Sequence, residues 1–137
     1  MRPRLNLNSA RLLVETGTPE GCRSAISRSY YAAYGEATVL VETAGRVVPP
    51  TGKSHALVRD LLKATREPRL RYAGLMLNDL YTQRLRADYR ANDPFPENAV
   101  NVRNAIRMAA TIVRIADKVR EDARWPEIAE DLRTIVV

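Results

Sequence analysis

The chain has 137 residues, which suits a single domain and is short for two. Apolar residues make up 45% and charged residues 28%, which excludes a wholly disordered chain. One cysteine and one histidine exclude an intrachain disulfide, a multi-cysteine zinc site and a two-histidine metal site, so we expect no metal and no cofactor. No apolar run approaches the roughly 20 residues of a membrane-spanning helix, and the N-terminus lacks the apolar region of a secretion signal. A cytoplasmic protein without membrane contact is therefore expected.

The charge is unevenly distributed along the chain. The net charge is +6, and 19 of the 22 basic residues are arginine. Residues 121–137 carry a net charge of −3 and residues 1–120 a net charge of +9. The basic part has two interpretations. It forms a phosphate-binding surface, since arginine offers paired donors to phosphate, or it consists of ordinary solvated helix faces in an arginine-rich composition.

Helical spacing of apolar residues dominates, and strand signals are weak. Thr18 followed by Pro19 predicts a helix start, because proline at the first helical position loses no hydrogen bond. Gly35 lies inside the second predicted helix and indicates the close approach of another helix. The predicted helices cover about residues 8–16, 19–44, 53–65, 68–89, 97–119 and 127–134. Asn8 or Ser9 is the expected cap of the first helix, and Glu97 is expected in the first turn of the fifth.

Long amphipathic helices with short connections favour antiparallel neighbours. The predicted fold is therefore all-α, an up-down antiparallel bundle of four to five helices plus a short C-terminal helix. Residues 1–137 form one domain in this prediction, with residues 121–137 as an acidic C-terminal extension.

The end of the fourth predicted helix is a candidate site. Arg84 and Asp88 are four residues apart and share a helix face with the apolar stripe before them, and Tyr89 follows. The pair is either an exposed ion pair of small energetic value or the wall of a cleft that needs a ligand. We expect Arg84, Asp88 and Tyr89 to converge there.

Aromatic and nucleophilic residues elsewhere allow alternatives. Tyr30 and Tyr34 are core aromatics or, alternatively, stack on nucleic-acid bases. His55 opens the third predicted helix as a surface or capping residue. It could act as an acid or base only if folding or dimerisation brings it near Arg84. Cys22 is expected to be a small, at least partly buried residue.

Two motifs together resemble the HEPN-domain family, in its small stand-alone branch. Residues 25–34 read A-I-S-R-S-Y-Y-A-A-Y and residues 84–89 read R-L-R-A-D-Y, and the connector from Gly45 to His55 is similar as well. The likeness covers about residues 8–120. It implies a helical bundle that usually dimerises and works on RNA. Members are often metal-independent ribonucleases, toxins paired with a nucleotidyltransferase-type antitoxin, or parts of defence systems.

The resemblance also assigns residues. Arg84 matches the arginine of the family's R-x(4–6)-H motif and would bind phosphate, with Asp88 orienting it. Tyr89 stands where the histidine would be, and an unperturbed tyrosine is a poor general base at neutral pH. The expected nucleic-acid contacts are Arg28, His55, Arg86 and Arg90.

Three hypotheses for the function remain open at this stage. In the first, the chain is a homodimer that acts on or with RNA in a toxin–antitoxin or defence system; if it is an enzyme, it is a metal-independent ribonuclease with a degenerate motif. In the second, it is a non-catalytic dimeric interaction module that binds a nucleotidyltransferase-like partner. The first is the leading hypothesis, and the missing motif histidine supports the second. In a third, minor hypothesis, Tyr89 accepts a nucleotidyl group from such a partner.

Overall fold

The computed structural model describes residues 2–137, and within them the chain is an all-α bundle without strands, as predicted. A 3-10 helix at Phe95–Glu97 precedes the fifth α-helix. The α-helices are α1 Leu5–Glu15, α2 Pro19–Thr43, α3 Ser54–Ala64, α4 Pro68–Tyr89, α5 Ala99–Glu121 and α6 Trp125–Thr134.

The caps explain where the predicted helix ends agree with the structure and where they do not. Thr18 caps α2 as expected, because its side chain accepts a hydrogen bond from Gly21 N at 3.0 Å. α1 begins at Leu5, three residues before its predicted start, so neither Asn8 nor Ser9 caps it. α5 is capped by Asn98, whose side chain accepts from the amides of residues 100 and 101. Glu97 lies just outside that helix.

The helices alternate in direction with one exception. Contacts between the start of α2 and the end of α4 make these two helices antiparallel, and contacts of Glu67 with the α5–α6 turn make α4 and α5 antiparallel. α3 runs in the same direction as α2, because the ten-residue connector 44–53 returns along the bundle before α3 begins beside the middle of α2. This return places His55 against α2.

The core consists of the apolar stripes predicted from spacing. On α2 the buried residues include Ile26, Tyr30, Ala33, Ala37 and Leu40. The stripe of α5 is buried in full from Val102 to Val119, and its small residues let α2 and α5 pack closely. α6 closes the bundle, since Leu132 is fully buried.

Gly35 does permit a close approach, but the neighbour is not a helix. A Cβ at Gly35 would lie 2.3 Å from Cβ of Pro3, which precedes α1. Arg4, the next residue, forms ion pairs with Glu36 at 3.0 Å and Asp117 at 2.9 Å. The glycine and the ion pairs together fix the start of α1 against α2.

Candidate functional site

Five aromatic rings from three helices gather at the middle of the bundle's length, and we call them the aromatic cluster. His55 stacks on Tyr34 with ring centroids 4.2 Å apart. Tyr30 is fully buried at the centre, and its ring lies 5.3–5.8 Å from each of the others. The members are Tyr30, Tyr31 and Tyr34 of α2, His55 of α3 and Tyr81 of α4. The interpretation of Tyr30 as a core aromatic is therefore confirmed.

A hydrogen bond fixes the protonation of His55. Tyr30 Oη and His55 Nδ1 are 2.5 Å apart. Burial raises the pKa of the Tyr30 hydroxyl, so it keeps its proton, and His55 is its sole hydrogen-bond partner within residues 2–137. Tyr30 therefore donates to Nδ1, and the proton of the neutral imidazole lies on Nε2. Burial, and then the positive charges of Arg84 and Arg59, lower the pKa of His55.

Two arginines, Arg59 and Arg84, lie at the edge of the aromatic cluster. The Arg59 guanidinium lies 4.1 Å from the centre of the Tyr81 ring, and that of Arg84 lies 5.4 Å from the centre of the Tyr31 ring. Arg59 Nη1 and Arg84 Nε are buried and lack a hydrogen-bond partner within the described chain. Such N–H groups are costly to bury without an acceptor.

The structure brings Arg84, Asp88 and Tyr89 together. Arg84 Nε lies 2.9 Å from Asp88 Oδ2, although the N–H is too poorly aligned to count as a hydrogen bond. Arg84 Nη2 lies 3.4 Å from Tyr89 Oη. The side chain of Arg84 is 15% exposed, whereas Tyr89 is 70% exposed. Ser27 of α2 donates to Asp88 at 3.3 Å and ties this group to α2.

His55 is the residue whose placement differs most from its sequence-based interpretation. The N-terminus of α3 has no side-chain cap, and the imidazole turns instead into the aromatic cluster. The Tyr31 ring lies 6.3 Å from the imidazole, between ring centres, and 5.4 Å from the Arg84 guanidinium, so the fold brings His55 and Arg84 to the same tyrosine within a single chain. The hydroxyl of Ser54 bonds to the carbonyl of Pro49 and holds the connector where α3 begins.

The other predicted contacts are scattered. Arg86 forms a two-point ion pair with Asp93 at 2.6 and 3.0 Å and stacks on Phe95, so it fastens the loop after α4. Arg90 is exposed at the end of α4. Arg28 is exposed on α2 and donates to Asn6 Oδ1 at 3.3 Å. Cys22 is buried and unpaired.

Sequence reasoning missed two arginines. Arg59 follows His55 by four residues, so helical spacing alone would have put it on the same face. Arg23 of α2 lies 2.8 Å from Glu97 and donates to four backbone carbonyls, those of residues 86, 87, 91 and 93. No local pattern identifies Arg23, because its partners are more than 60 residues away in the sequence.

Residues 2–137 contain no group of three or more histidine, cysteine, aspartate or glutamate side chains placed to hold a metal ion. Within the same residues, each helix is either too short or too polar to cross a bilayer. Comparison of the chain with protein-family models, with curated proteins and with solved structures gives no match.

Proposed function

We propose that this chain is a HEPN-like helical protein that binds single-stranded RNA at the aromatic cluster and its two arginines. The observation that carries the proposal is the placement of two guanidinium groups, those of Arg59 and Arg84, against tyrosine rings at the edge of the aromatic cluster. Asp88 is the single carboxylate in the ion pairs of these two arginines within the described chain. A phosphate group would supply the negative charge that balances the second guanidinium.

The aromatic rings favour RNA over a simple anion. Tyr31 is 36% exposed and Tyr89 is 70% exposed, and both rings border Arg84. Single-stranded nucleic acids bind where cations hold the backbone and aromatic faces stack on bases. His55 adds an N–H donor at Nε2 to the same group.

The protonation of His55 favours binding over strand cleavage. Its Nδ1 lone pair is occupied by the Tyr30 hydroxyl, and the other nitrogen carries the proton, so neither is ready to accept a proton from a ribose hydroxyl. The lowered pKa also keeps the imidazole from acting as a cationic acid. Tyr89, at the position of the motif histidine, is an alternative proton donor, since its hydroxyl lies 3.4 Å from Arg84 Nη2. The geometry thus favours RNA binding over strand cleavage, and the proposed place in a toxin–antitoxin or defence system rests on the HEPN resemblance of the sequence.

Fluorescence anisotropy with a labelled single-stranded RNA tests the proposal. We expect binding that weakens steeply with salt, since bound phosphates release counterions. The R84A and R59A variants should each lose about tenfold or more in affinity. R114A is the matched control, because Arg114 is exposed on α5 and its guanidinium has one hydrogen bond within residues 2–137, to Thr111.

The outcomes separate the alternatives. Equal losses in R84A and R114A would mean that binding follows overall charge and would refute this site. RNA that stays intact during incubation with EDTA supports binding without cleavage. Cleavage that disappears in Y89F but persists in H55A would assign catalysis to Tyr89 and overturn the conclusion that this site binds RNA without cleaving it.

The non-catalytic interaction module is the second candidate, and the outer face of α4 favours it. Tyr72 and Leu75 are three residues apart and are 57% and 62% exposed. Paired exposed apolar side chains on one helix face fit a protein interface. This face would pair two copies into the expected homodimer or bind a nucleotidyltransferase-like partner. Light scattering that gives a dimer for the native chain and a monomer for L75E would support it, and a native monomer at tens of micromolar would contradict the homodimer.

A further inference from the structure

A groove of about 300 Å³ lies between the end of α1 and the first half of α5. The two helices run antiparallel, because Arg4 at the start of α1 pairs with Asp117 near the end of α5, whereas Val14 and Ile106 line the same groove. Val14 and Ile106 are buried and Ala110 is half-buried, so the floor of the groove is aliphatic. No residue that lines this groove belongs to the aromatic cluster, so it is a separate surface.

Three arginines form the rim of the groove, and the ion pairs of residues 2–137 do not include them. They are Arg11 of α1 and Arg103 and Arg107 of α5, and all three are exposed. Arg11 and Arg107 each donate to a neutral asparagine three residues earlier in their own helix, at 3.3 and 3.2 Å. Glu15 is the one carboxylate among the residues that line the groove. The rim therefore carries three positive charges against one negative charge.

We propose that this groove docks an amphipathic helix of a partner protein, one that carries acidic residues on both sides of its apolar stripe. The apolar stripe of such a helix covers the aliphatic floor, and its carboxylates face the arginines of the rim. The groove extends along α5 from Arg103 to Ala110, which is about 10 Å of helix, so about two turns of the partner fill it. The proposal is independent of RNA binding at the aromatic cluster.

The composition of the groove favours an acidic helix over RNA. Aromatic rings on which bases could stack are absent from its lining, and the floor offers aliphatic surface instead. Glu15 repels a continuous phosphate backbone, whereas a helix can place a neutral or basic residue opposite it. The arginines act here as exposed, mobile charges that attract an acidic partner, and the proposal requires no fixed two-point contact from them.

The test uses a labelled synthetic peptide of about 18 residues, long enough to form a helix, with leucines at steps of three and four and glutamates beside them. Fluorescence anisotropy with the full chain should show saturable binding that weakens with salt. A peptide with lysine in place of each glutamate should not bind at about 1 mM, and a peptide of the same composition in scrambled order should bind about tenfold more weakly.

Three variants locate the binding on the chain. R107E should weaken binding of the acidic peptide about tenfold, whereas R90E, which reverses the charge of an exposed arginine at the end of α4, should change it by less than about twofold. A110Q fills the floor with a larger side chain at constant charge and should also weaken binding about tenfold. R84A should bind the peptide as the native chain does, because Arg84 lies outside the groove.

Four results would overturn the proposal. The first is no binding of the acidic peptide at low salt, and the second is an equal loss in R107E and R90E, which would mean that binding follows overall charge. The third is an unchanged affinity in A110Q, which would place the peptide outside the groove. The fourth is a short oligouridine that displaces the peptide equally from the native chain and from R84A, which would assign the groove to RNA. Unchanged melting temperatures of R107E and A110Q exclude unfolding as the cause of any loss.

Discussion

Where α4 begins and α5 ends, guanidinium groups lie against carboxylates, whereas in the aromatic cluster they lie against tyrosine rings. In the first region, buried Glu67 forms ion pairs with Arg69 at 2.6 Å and Arg124 at 3.0 Å, and Asp122 lies 2.8 Å from Arg69. In the second, Arg59 has no carboxylate within salt-bridge distance in the described chain, and Arg84 shares one with Ser27. We call the first region the ion-pair network.

The difference shows that one residue type has two roles here. In the ion-pair network each charge is neutralised within the chain, so those arginines contribute to the fold and have little left to offer a ligand. In the aromatic cluster Asp88 is the one carboxylate paired with the two arginines within residues 2–137, so the charge is only partly compensated and an anionic ligand can complete the arrangement. Substitutions in the network should therefore change stability, and substitutions in the cluster should change binding.

The R23A variant should give the largest loss of stability. Arg23 is 17% exposed, pairs with Glu97 and satisfies carbonyls at the end of α4, so its removal leaves a carboxylate and several carbonyls without their donor. We expect the free energy of unfolding to fall by about 3 kcal/mol. Urea denaturation measures this, with R114A as a control that should change it by less than about 0.5 kcal/mol. Equal values for the two variants would contradict a structural role of Arg23.

The E67Q variant should have the next largest effect. The Glu67 side chain is 4% exposed, and its carboxylate faces two arginines and caps α4. Without the charge of Glu67, Asp122 is the one carboxylate of the network left to balance Arg69 and Arg124. We expect the free energy of unfolding to fall by about 2 kcal/mol. RNA affinity should stay at the native value, because the network lies apart from the aromatic cluster. A loss of RNA affinity in E67Q, with stability unchanged, would break the distinction between the two regions.

The titration of His55 gives a smaller and more specific signal. Its pKa is lowered by burial and by the charges of Arg84 and Arg59, so R84A and R59A should each raise it towards the ordinary value near 6.5. Because the folded pKa is the lower one, His55 contributes stability above about pH 6.5 that is lost as the pH falls through the folded pKa. NMR of the imidazole measures the pKa directly, since this is the chain's one histidine. An unchanged pKa of His55 in both variants would mean that neither guanidinium is close enough to the imidazole to affect its protonation.

The smallest effect should come from Asp93. Its hydrogen bonds with Arg86 lower the pKa of Asp93 to about 2. Because the folded pKa lies below the unfolded value, this contact stabilises the protein above about pH 4, and the contribution is lost as the pH falls towards 2. In D93N the stability should depend less on pH in that window. Acid denaturation followed by circular dichroism compares D93N with the native chain. If stability depends on pH equally in both, the contact with Arg86 contributes nothing to stability.

Much of the helical architecture follows from local sequence patterns. Thr18 with Pro19, the stripe from Ile26 to Leu40 and the stripe from Val102 to Val119 predicted α2 and α5, because helical periodicity and capping depend on residues a few positions apart. The start of α1 was misplaced because Arg4 is fixed by Glu36 and Asp117, which are distant in the sequence. Glu97 was wrongly assigned to the first turn of α5 for the same reason, since its carboxylate pairs with Arg23, which is distant in the sequence.

The candidate site divides in the same way. Spacing on one helix was enough to place Arg84 beside Asp88 and Tyr89, because a four- or five-residue step on a helix fixes the separation. Spacing could not place His55 or Arg59 there, since the direction of the 44–53 connector decides which part of α2 meets α3. It also could not give His55 its tautomer, which depends on the buried hydroxyl of Tyr30. The sequence by itself determined the helices and one edge of the site, and only the packing of three helices decided which charges were left without partners.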